Sequence, residues 1–423
     1  MISKKDSKFL EKLIDKFNDS KNKKTYDFPL LEKGFTNEDI LRGIEVLLSR
    51  KLTMSEITKK FENTFAKFVG SKYALMVNSG SSANLLAVSS LNLSKGSEVI
   101  TPALTFSTTV APIIQNGLVP AFVDIDLQSF NINTNLIEEM IGEKTKAMLI
   151  PNLLGNLPDW ESIKQIALKH NLIIIEDSAD TLGATINNKS TGIFSDISIT
   201  SFYGSHVISC AGNGGMFLTN NKNIFERAKV LRSWGRMSTL IKDSENIRKR
   251  LNIKLNGFDY DKKFVFSEVG YNFEPSEIGA SFGLVQLKKF KSFSMIRNKN
   301  FMYHSDFFRK HKDYFIVPKI RKKVRTNFLA YPIIIKENKK FNRKKLQIFL
   351  EKNNIQTRPI FSGNILRHPA FKNLKSGQNK LNSFKNTDYI MKNGLLIGCH
   401  QGLNKNNIDY IHNKINYFIK RKK

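Results

Sequence analysis

An α/β architecture follows from the patterning of this chain: a mainly parallel sheet in a large domain, then a smaller α+β domain. Two observations carry it. Between about residues 72 and 220, seven short apolar segments alternate with helical ones. Near-continuous apolar strands of this kind belong to a sheet covered on both faces. The length, 423 residues, also suffices for more than one domain.

The elements read in order as follows. MISKKDSKFLEKLIDKF spaces apolar residues at helical intervals among charges, and a second helical pattern covers Asn37–Leu48. Residues 1–50 therefore form a helical extension, with KNKK as a loop. It lacks the continuous apolar stretch of a secretory signal. A helix over Ser55–Phe68 follows, with Thr53 or Ser55 as its cap. The strands are YALMV (73–77), EVITP (98–102), AFVDI (121–125), AMLIP (147–151), LIIIE (172–176), ISITSFY (197–203) and GMFLT (215–219). Arg236–Lys263 is polar and lysine-rich and reads as a long loop or excursion, and a helix at about 275–291 closes a large domain of residues 51–294. Residues 295–423 make the small domain, with a strand in NFLAYPIII (327–335) and a helix over Arg343–Lys352.

Composition narrows the function. Hydrophobic residues at 41% and charged residues at 25% are those of a soluble globular protein. No apolar stretch is long enough to span a bilayer, so a cytoplasmic protein with no membrane partner is expected. The net charge of +30 comes from dispersed lysines, without a nucleic-acid motif, so no nucleic-acid partner is expected. The terminal Lys420-Arg421-Lys422-Lys423 reads as a solvated tail. Two cysteines, Cys210 and Cys399, exclude a disulfide framework. They cannot build a four-thiolate cluster within one chain, and no metal ligands are assigned.

Three segments carry chemistry. Asn78-Ser79-Gly80-Ser81-Ser82-Ala83-Asn84 joins a strand to an apolar helix. Small residues there present free N–H groups and a positive helix end to a phosphate, or they simply cap the helix. Glu176-Asp177-Ser178-Ala179-Asp180 ends a strand. Asp177 can pair with a protonated ring nitrogen or cap a helix. Ser201-Phe202-Tyr203, His206 and Gly212-Asn213-Gly214-Gly215 combine a hydroxyl, an imidazole and a tight reversal. His206 is either structural or a base near neutral pH.

In this order and spacing, the three segments resemble the DegT/StrS-type sugar-nucleotide aminotransferases, which are fold type I pyridoxal-phosphate enzymes. T-P-A-L-T-F-S-T-T (101–109), V-G-Y-N-F-E-P-S-E-I-G-A (269–280), S-W-G-R (233–236), T-R-P-I-F-S-G-N-I-L-R-H-P (357–369) and N-T-D-Y-I-M (386–391) extend the likeness along the chain. They are closest to the CDP-4-keto-6-deoxyglucose 3-dehydrase branch. The family's covalently attached lysine is replaced here by His206. The resemblance implies a seven-stranded sheet and pyridoxal or pyridoxamine phosphate held without a covalent bond. Gly80, Ser81 and Ser201 would bind its phosphate, Phe106 stack on its ring, Asp177 face its nitrogen and Asp180 its hydroxyl. His206 would be the base. Asn272 would reach the neighbouring subunit's cofactor, which implies a homodimer with shared sites. Arg358, Asn364 and Arg367 would face the substrate.

The iron–sulfur dehydrases of that branch carry a cysteine cluster after W-G-R. No cysteine follows Trp234-Gly235-Arg236 until Cys399. An iron–sulfur cluster is therefore not expected, and L-glutamate is the implied source of the cofactor amine. The implied activity is 3-dehydration of a nucleotide-linked 4-keto-6-deoxyhexose for dideoxysugar and lipopolysaccharide synthesis. Two alternatives are a sugar-nucleotide aminotransferase using another lysine, and a non-catalytic cofactor-binding regulatory protein.

Overall fold

The computed structural model describes residues 3–21, 26–31, 34–372, 374 and 384–421. Residues 22–24 of the KNKK stretch, and Lys422 and Lys423 of the basic tail, lie outside these. The main elements are α1 (Lys4–Lys21), α2 (Asn37–Ser49), α3 (Glu56–Val69), β1 (Tyr73–Val77), α4 (Gly80–Ser90), β2 (Glu98–Pro102), α5 (Ser107–Gln115), β3 (Val119–Val123), β4 (Thr145–Pro151), α6 (Trp160–His170), β5 (Ile173–Asp177), β6 (Ile197–Ser201), β7 (Gly215–Thr219), α7 (Lys222–Arg232), α8 (Glu277–Arg309), β8 (Tyr331–Ile335), α9 (Arg343–Lys352), α10 (Lys385–Asn393), β9 (Gly394–Ile397) and α11 (Lys405–Lys420).

All seven segments read as strands enter one sheet, in the order β1-β7-β6-β5-β4-β2-β3. Only β7 runs antiparallel to its neighbours, and the other pairings are parallel. The strands are buried along nearly their whole length, because helices cover both faces. One core cluster joins Leu75, Leu86, Ile175 and Phe217, and another joins Ile100, Met148, Trp160 and Ile174. Ligands bind to such sheets at the strands' C-terminal ends. Here those ends lead into Asn78, Asn152, Asp177 and Ser201.

The helix expected at about 275–291 runs on to Arg309, over 33 residues. Its later inward face includes Arg297, Asn300, His304 and Ser305, all buried. Polar residues at core positions erase the apolar periodicity that marks a helix. Along its length α8 packs on α2 and α3, then on α11. We propose that the two domains meet within it, near residues 294–295. Beyond it, Phe315–Ile316, β8 and β9 form a small antiparallel sheet.

Arg236–Lys263 is not the featureless loop its composition suggests. It holds short helical turns at Met237–Leu240, Ile247–Arg250 and Lys262–Phe264, and a hairpin pairing Lys254–Leu255 with Phe258–Asp259. The Arg250–Asp261 ion pair at 2.9 Å ties it together. No helix of the described residues is long and apolar enough to cross a membrane.

Ser55 takes the N-cap position of α3, but its hydroxyl makes no capping bond. The buried Glu277 carboxylate does this work. It accepts the N–H groups of Ser55 (2.8 Å), Ile57 (2.9 Å) and Thr58 (3.0 Å), and the Thr58 hydroxyl. A carboxylate at a helix N-terminus also meets the positive dipole end. Glu277→Ala leaves these donors unpaired and should destabilise the protein by about 2–4 kcal/mol. Glu277→Gln, which keeps one acceptor oxygen, should cost less. Urea denaturation checks both, and an unchanged midpoint for the alanine variant would mean the cap is dispensable.

Candidate active site

A cavity of about 580 Å³ opens at the C-terminal edge of the sheet. That lies within the range of about 300–1,000 Å³ usual for small-molecule sites. Of the residues singled out in the sequence, Gly80, Ser81, Phe106, Asp177, Asp180, Ser201, His206 and Arg358 line it.

One end is the N-terminus of α4. Ser79 is its N-cap, and the Ser79 hydroxyl accepts the Ser82 N–H at 3.0 Å. The first-turn N–H groups have no acceptor within the helix and carry the positive dipole end. A Cβ on Gly80 would come within 2.4 Å of the Ser201 Cβ. Glycine there lets the Ser201 hydroxyl and the helix end converge on one anion-sized space. Phe106, beside it, is 55% exposed and leaves a ring face free.

The floor is the turn after β5. Asp177 is buried and accepts hydrogen bonds from Asn84 Nδ2 (2.7 Å), the Ala179 N–H (3.0 Å) and Thr109 Oγ1 (3.3 Å). Burial pushes its carboxyl above the usual range, against the pull of those three donors. Burial also pushes the Asp180 carboxyl up to about 7, with the Leu154 N–H opposing and Asp177 adding to the rise. Among the described residues, no lysine or arginine forms an ion pair with either carboxylate. Asn84 Oδ1 and Thr105 Oγ1, also in the cavity wall, are buried without a hydrogen-bond partner. A pyridine ring with a protonated nitrogen would give Asp177 its missing countercharge. With the phosphate cradle beside it, these residues fit pyridoxal or pyridoxamine phosphate.

His206 stands on the loop after β6. Phe202 anchors that loop, packed on Phe61 and Phe65 at 5.4 and 5.3 Å between ring centroids. The His206 Nδ1 lies 2.6 Å from the Ala179 carbonyl. A carbonyl only accepts, so Nδ1 carries the hydrogen and Nε2 keeps its lone pair. Burial pushes the ring down to about 4, against the Ala179 carbonyl and helped by the buried Arg297 guanidinium. The imidazole is therefore neutral at physiological pH. No lysine lines the cavity among the described residues.

Arg358 is the one lysine or arginine in the cavity wall among these residues. One of its Nη1 donors is held by the Thr357 carbonyl at 2.8 Å. Asn364 and Arg367 lie elsewhere. Asn364 donates to Asp388 at 2.9 Å, and Arg367 makes a two-pronged ion pair with the same carboxylate. Asn272 is exposed and outside this chain's cavity, and its carbonyl accepts from Asn78 Nδ2 at 3.3 Å.

Sequence reasoning missed Asn84 and Thr109, although both stand in quoted motifs. It also missed Leu30, which lines the cavity, and the roles of Arg297 and Asn152. Asn152 donates to Glu176 Oε1 (2.8 Å) and Ser178 Oγ (2.9 Å) and accepts from Trp160 Nε1 (2.9 Å), bracing the floor from below.

Asp180 makes stability depend on pH in a defined direction. Its carboxyl binds a proton more tightly in the folded state, at about 7, than in the unfolded chain, at about 4. Stability is therefore lost as pH rises through that window. In cofactor-free protein, Asp180→Asn should gain about 2–4 kcal/mol near pH 8 and nothing near pH 4. Thermal denaturation across that range checks it, and a gain independent of pH would contradict it.

The DegT/DnrJ/EryC1/StrS aminotransferase family matches residues 35–416. Lipopolysaccharide biosynthesis protein RfbH of Salmonella typhimurium is 36% identical over 89% of this chain and 88% of its own length. The dTDP-4-dehydro-2,6-dideoxy-D-glucose 3-dehydratase of Saccharopolyspora spinosa is 35% identical, over 90% and 84%. The GDP-4-keto-6-deoxy-D-mannose 3-dehydratase of Escherichia coli is 35% identical, over 91% and 98%. A structure of an E. coli GDP-4-keto-6-deoxy-D-mannose-3-dehydratase with bound hydrated pyridoxal phosphate matches with a TM-score of 0.84 and 34% identity, over 92% of this chain and 100% of that one. A GDP-4-keto-6-deoxymannose-3-dehydratase structure with a trapped pyridoxal-phosphate–glutamate geminal diamine matches at 0.82 and 33%, over 92% and 100%. With the sheet order and site geometry above, the fold is that of the fold type I pyridoxal-phosphate enzymes, and the chain belongs to the DegT/DnrJ/EryC1/StrS aminotransferase family.

Proposed function

We propose that this protein is a pyridoxal/pyridoxamine-phosphate-dependent sugar-nucleotide 3-dehydratase. It removes the C3 hydroxyl of a nucleotide-linked 4-keto-6-deoxyhexose on the way to a dideoxysugar of lipopolysaccharide. One observation carries this reading: the cavity wall presents a neutral, oriented imidazole, His206, and, among the described residues, no lysine.

When bound, the cofactor supplies an amine for the C4 ketone and a ring that takes up electrons. The residues of the chain do the rest. The α4 N-terminus and the hydroxyls of Ser81 and Ser201 hold the phosphate. Asp177, kept in place by Asn84 and Thr109, accepts the ring N–H and keeps that nitrogen protonated. Phe106 stacks on the ring, and Asp180 meets its hydroxyl. His206 Nε2 would take the proton from the cofactor carbon that bears the amine and pass it to the C3 hydroxyl, which would leave as water. Arg358 faces the substrate diphosphate, where a guanidinium suits phosphate oxygens.

The working unit is a homodimer in which Asn272 reaches the partner's cofactor. Supporting this, the excursion beside it exposes Ile247 (68%) and Phe258 (74%), and Val269, after it, is 96% exposed, apolar side chains that a second copy would cover. L-Glutamate renews the amine form, in keeping with the glutamate held in one relative's structure.

His206→Asn should lower turnover by about 10²–10⁴-fold, while cofactor affinity, measured by absorbance titration, stays nearly unchanged. Loss of cofactor would assign His206 a structural role. Adding L-glutamate to the cofactor-loaded protein should convert the aldehyde spectrum to that of the amine, with ammonia released once the sugar nucleotide is supplied. Borohydride reduction followed by peptide mapping should find no lysine adduct. A mapped lysine would favour a transaminase instead.

A further inference from the structure

Tyr26–Leu30 precedes the family match, which begins at residue 35, yet it is held against the small domain. The Phe28 N–H donates to the Asn354 carbonyl (3.1 Å), and the Gln356 N–H donates to the Phe28 carbonyl (3.0 Å). The Leu30 N–H donates to Gln356 Oε1 at 2.8 Å, and the Pro29 carbonyl faces His400 Nε2 at 3.0 Å. Phe28 stacks on Tyr410 with ring centroids 4.6 Å apart. Together these contacts deliver one side chain, Leu30, to the cavity wall at 7% exposure. The chain that anchors the strap reaches Arg358 two residues after Gln356.

We propose that this strap is a specificity element, with Leu30 receiving the C6 methyl of the sugar. The proposal rests on the dehydratase reading above. In a 4-keto-6-deoxyhexose, C3 and C4 must face His206 and the cofactor. The anomeric diphosphate needs a cation, and Arg358 is the lysine or arginine that the cavity offers. The methyl on C5, next to the reacting C4, then falls to the apolar part of the lining, where Leu30 and Leu396 share one cluster and Leu329 also faces the cavity. An apolar wall accepts a methyl group, whereas a hydroxyl there gives up its water without a replacement partner. Leu30 therefore selects 6-deoxy over 6-hydroxy sugars. An added hydroxyl in an apolar pocket costs about 10–100-fold in discrimination.

Calorimetry on the cofactor-loaded, full-length protein tests this with CDP-6-deoxyglucose, CDP-glucose and CDP, with dTDP-6-deoxyglucose, dTDP-glucose and dTDP, and with GDP-rhamnose, GDP-mannose and GDP. In at least one series the wild type should bind the 6-deoxy sugar about 10-fold or more tighter than its 6-hydroxy counterpart. Leu30→Asn should shrink that preference to about threefold or less and leave the free diphosphate within about twofold. Leu30→Val, a milder change for the fold, should weaken 6-deoxy sugar binding by about threefold and spare the 6-hydroxy sugar. A preference that survives both substitutions overturns the proposal and leaves the dehydratase reading standing. An equal loss for sugar nucleotide and free diphosphate also overturns it, because Leu30 would then only hold the scaffold. A wild type that binds none of the three series removes the dehydratase reading, and the proposal with it.

Discussion

A carboxylate cannot stay charged inside a protein without hydrogen bonds or a countercharge. Asp177 has the hydrogen bonds and lacks the countercharge, and much of the site is arranged around that fact. Asn84 reaches it from the helix that forms the phosphate cradle, and Thr109 reaches it from the helix that follows Phe106. One buried group thus fixes the spacing of cradle, stacking face and ring nitrogen. The turn it begins also supplies the Ala179 carbonyl that orients His206 and the Asp180 carboxyl that meets Leu154. In the proposed roles, nitrogen partner and hydroxyl partner share one short stretch of backbone at the end of a central strand, and the same stretch orients the base.

The electrostatics of this arrangement change when ligands enter. Burial and the buried Arg297 hold His206 uncharged in the protein alone. A bound phosphate and a substrate diphosphate bring negative charge into a low-dielectric space, which favours imidazolium and strengthens the ring as a base. Arg297 is itself fixed by the Phe328 and Leu329 carbonyls at 3.0 Å and by Gln401 at 2.8 Å. Phe328, Leu329 and Gln401 therefore act on His206 through a residue of the long helix.

The strands were legible because burial on both faces leaves uninterrupted apolar runs. The second half of α8 was not, because its inward positions hold Arg297, Asn300, His304 and Ser305. Nor was the true cap of α3: Glu277 is remote in sequence, and only folding brings it to Thr58. The same distinction runs through the site. Gly80, Ser81, Asp177, Ser201 and His206 lie in local motifs whose backbone shape is itself the signal. Arg367 and Asn364, expected to face substrate, are both engaged by Asp388, a contact nothing local reveals. Leu30 carries no motif, and its place follows from pairing with residues 354–356.

A wall that holds no lysine among the described residues also changes what kind of partner the cofactor is. An enzyme tethered to its cofactor keeps it through dilution and shortage. Here retention rests on reversible contacts alone, so the working fraction of molecules follows the free concentration of the vitamin derivative by mass action. At a concentration equal to the dissociation constant, half of the chains are competent, and the rest gain their missing countercharge only as supply improves. The cofactor thus behaves as a second substrate, whose occupancy is set by its free concentration against its dissociation constant.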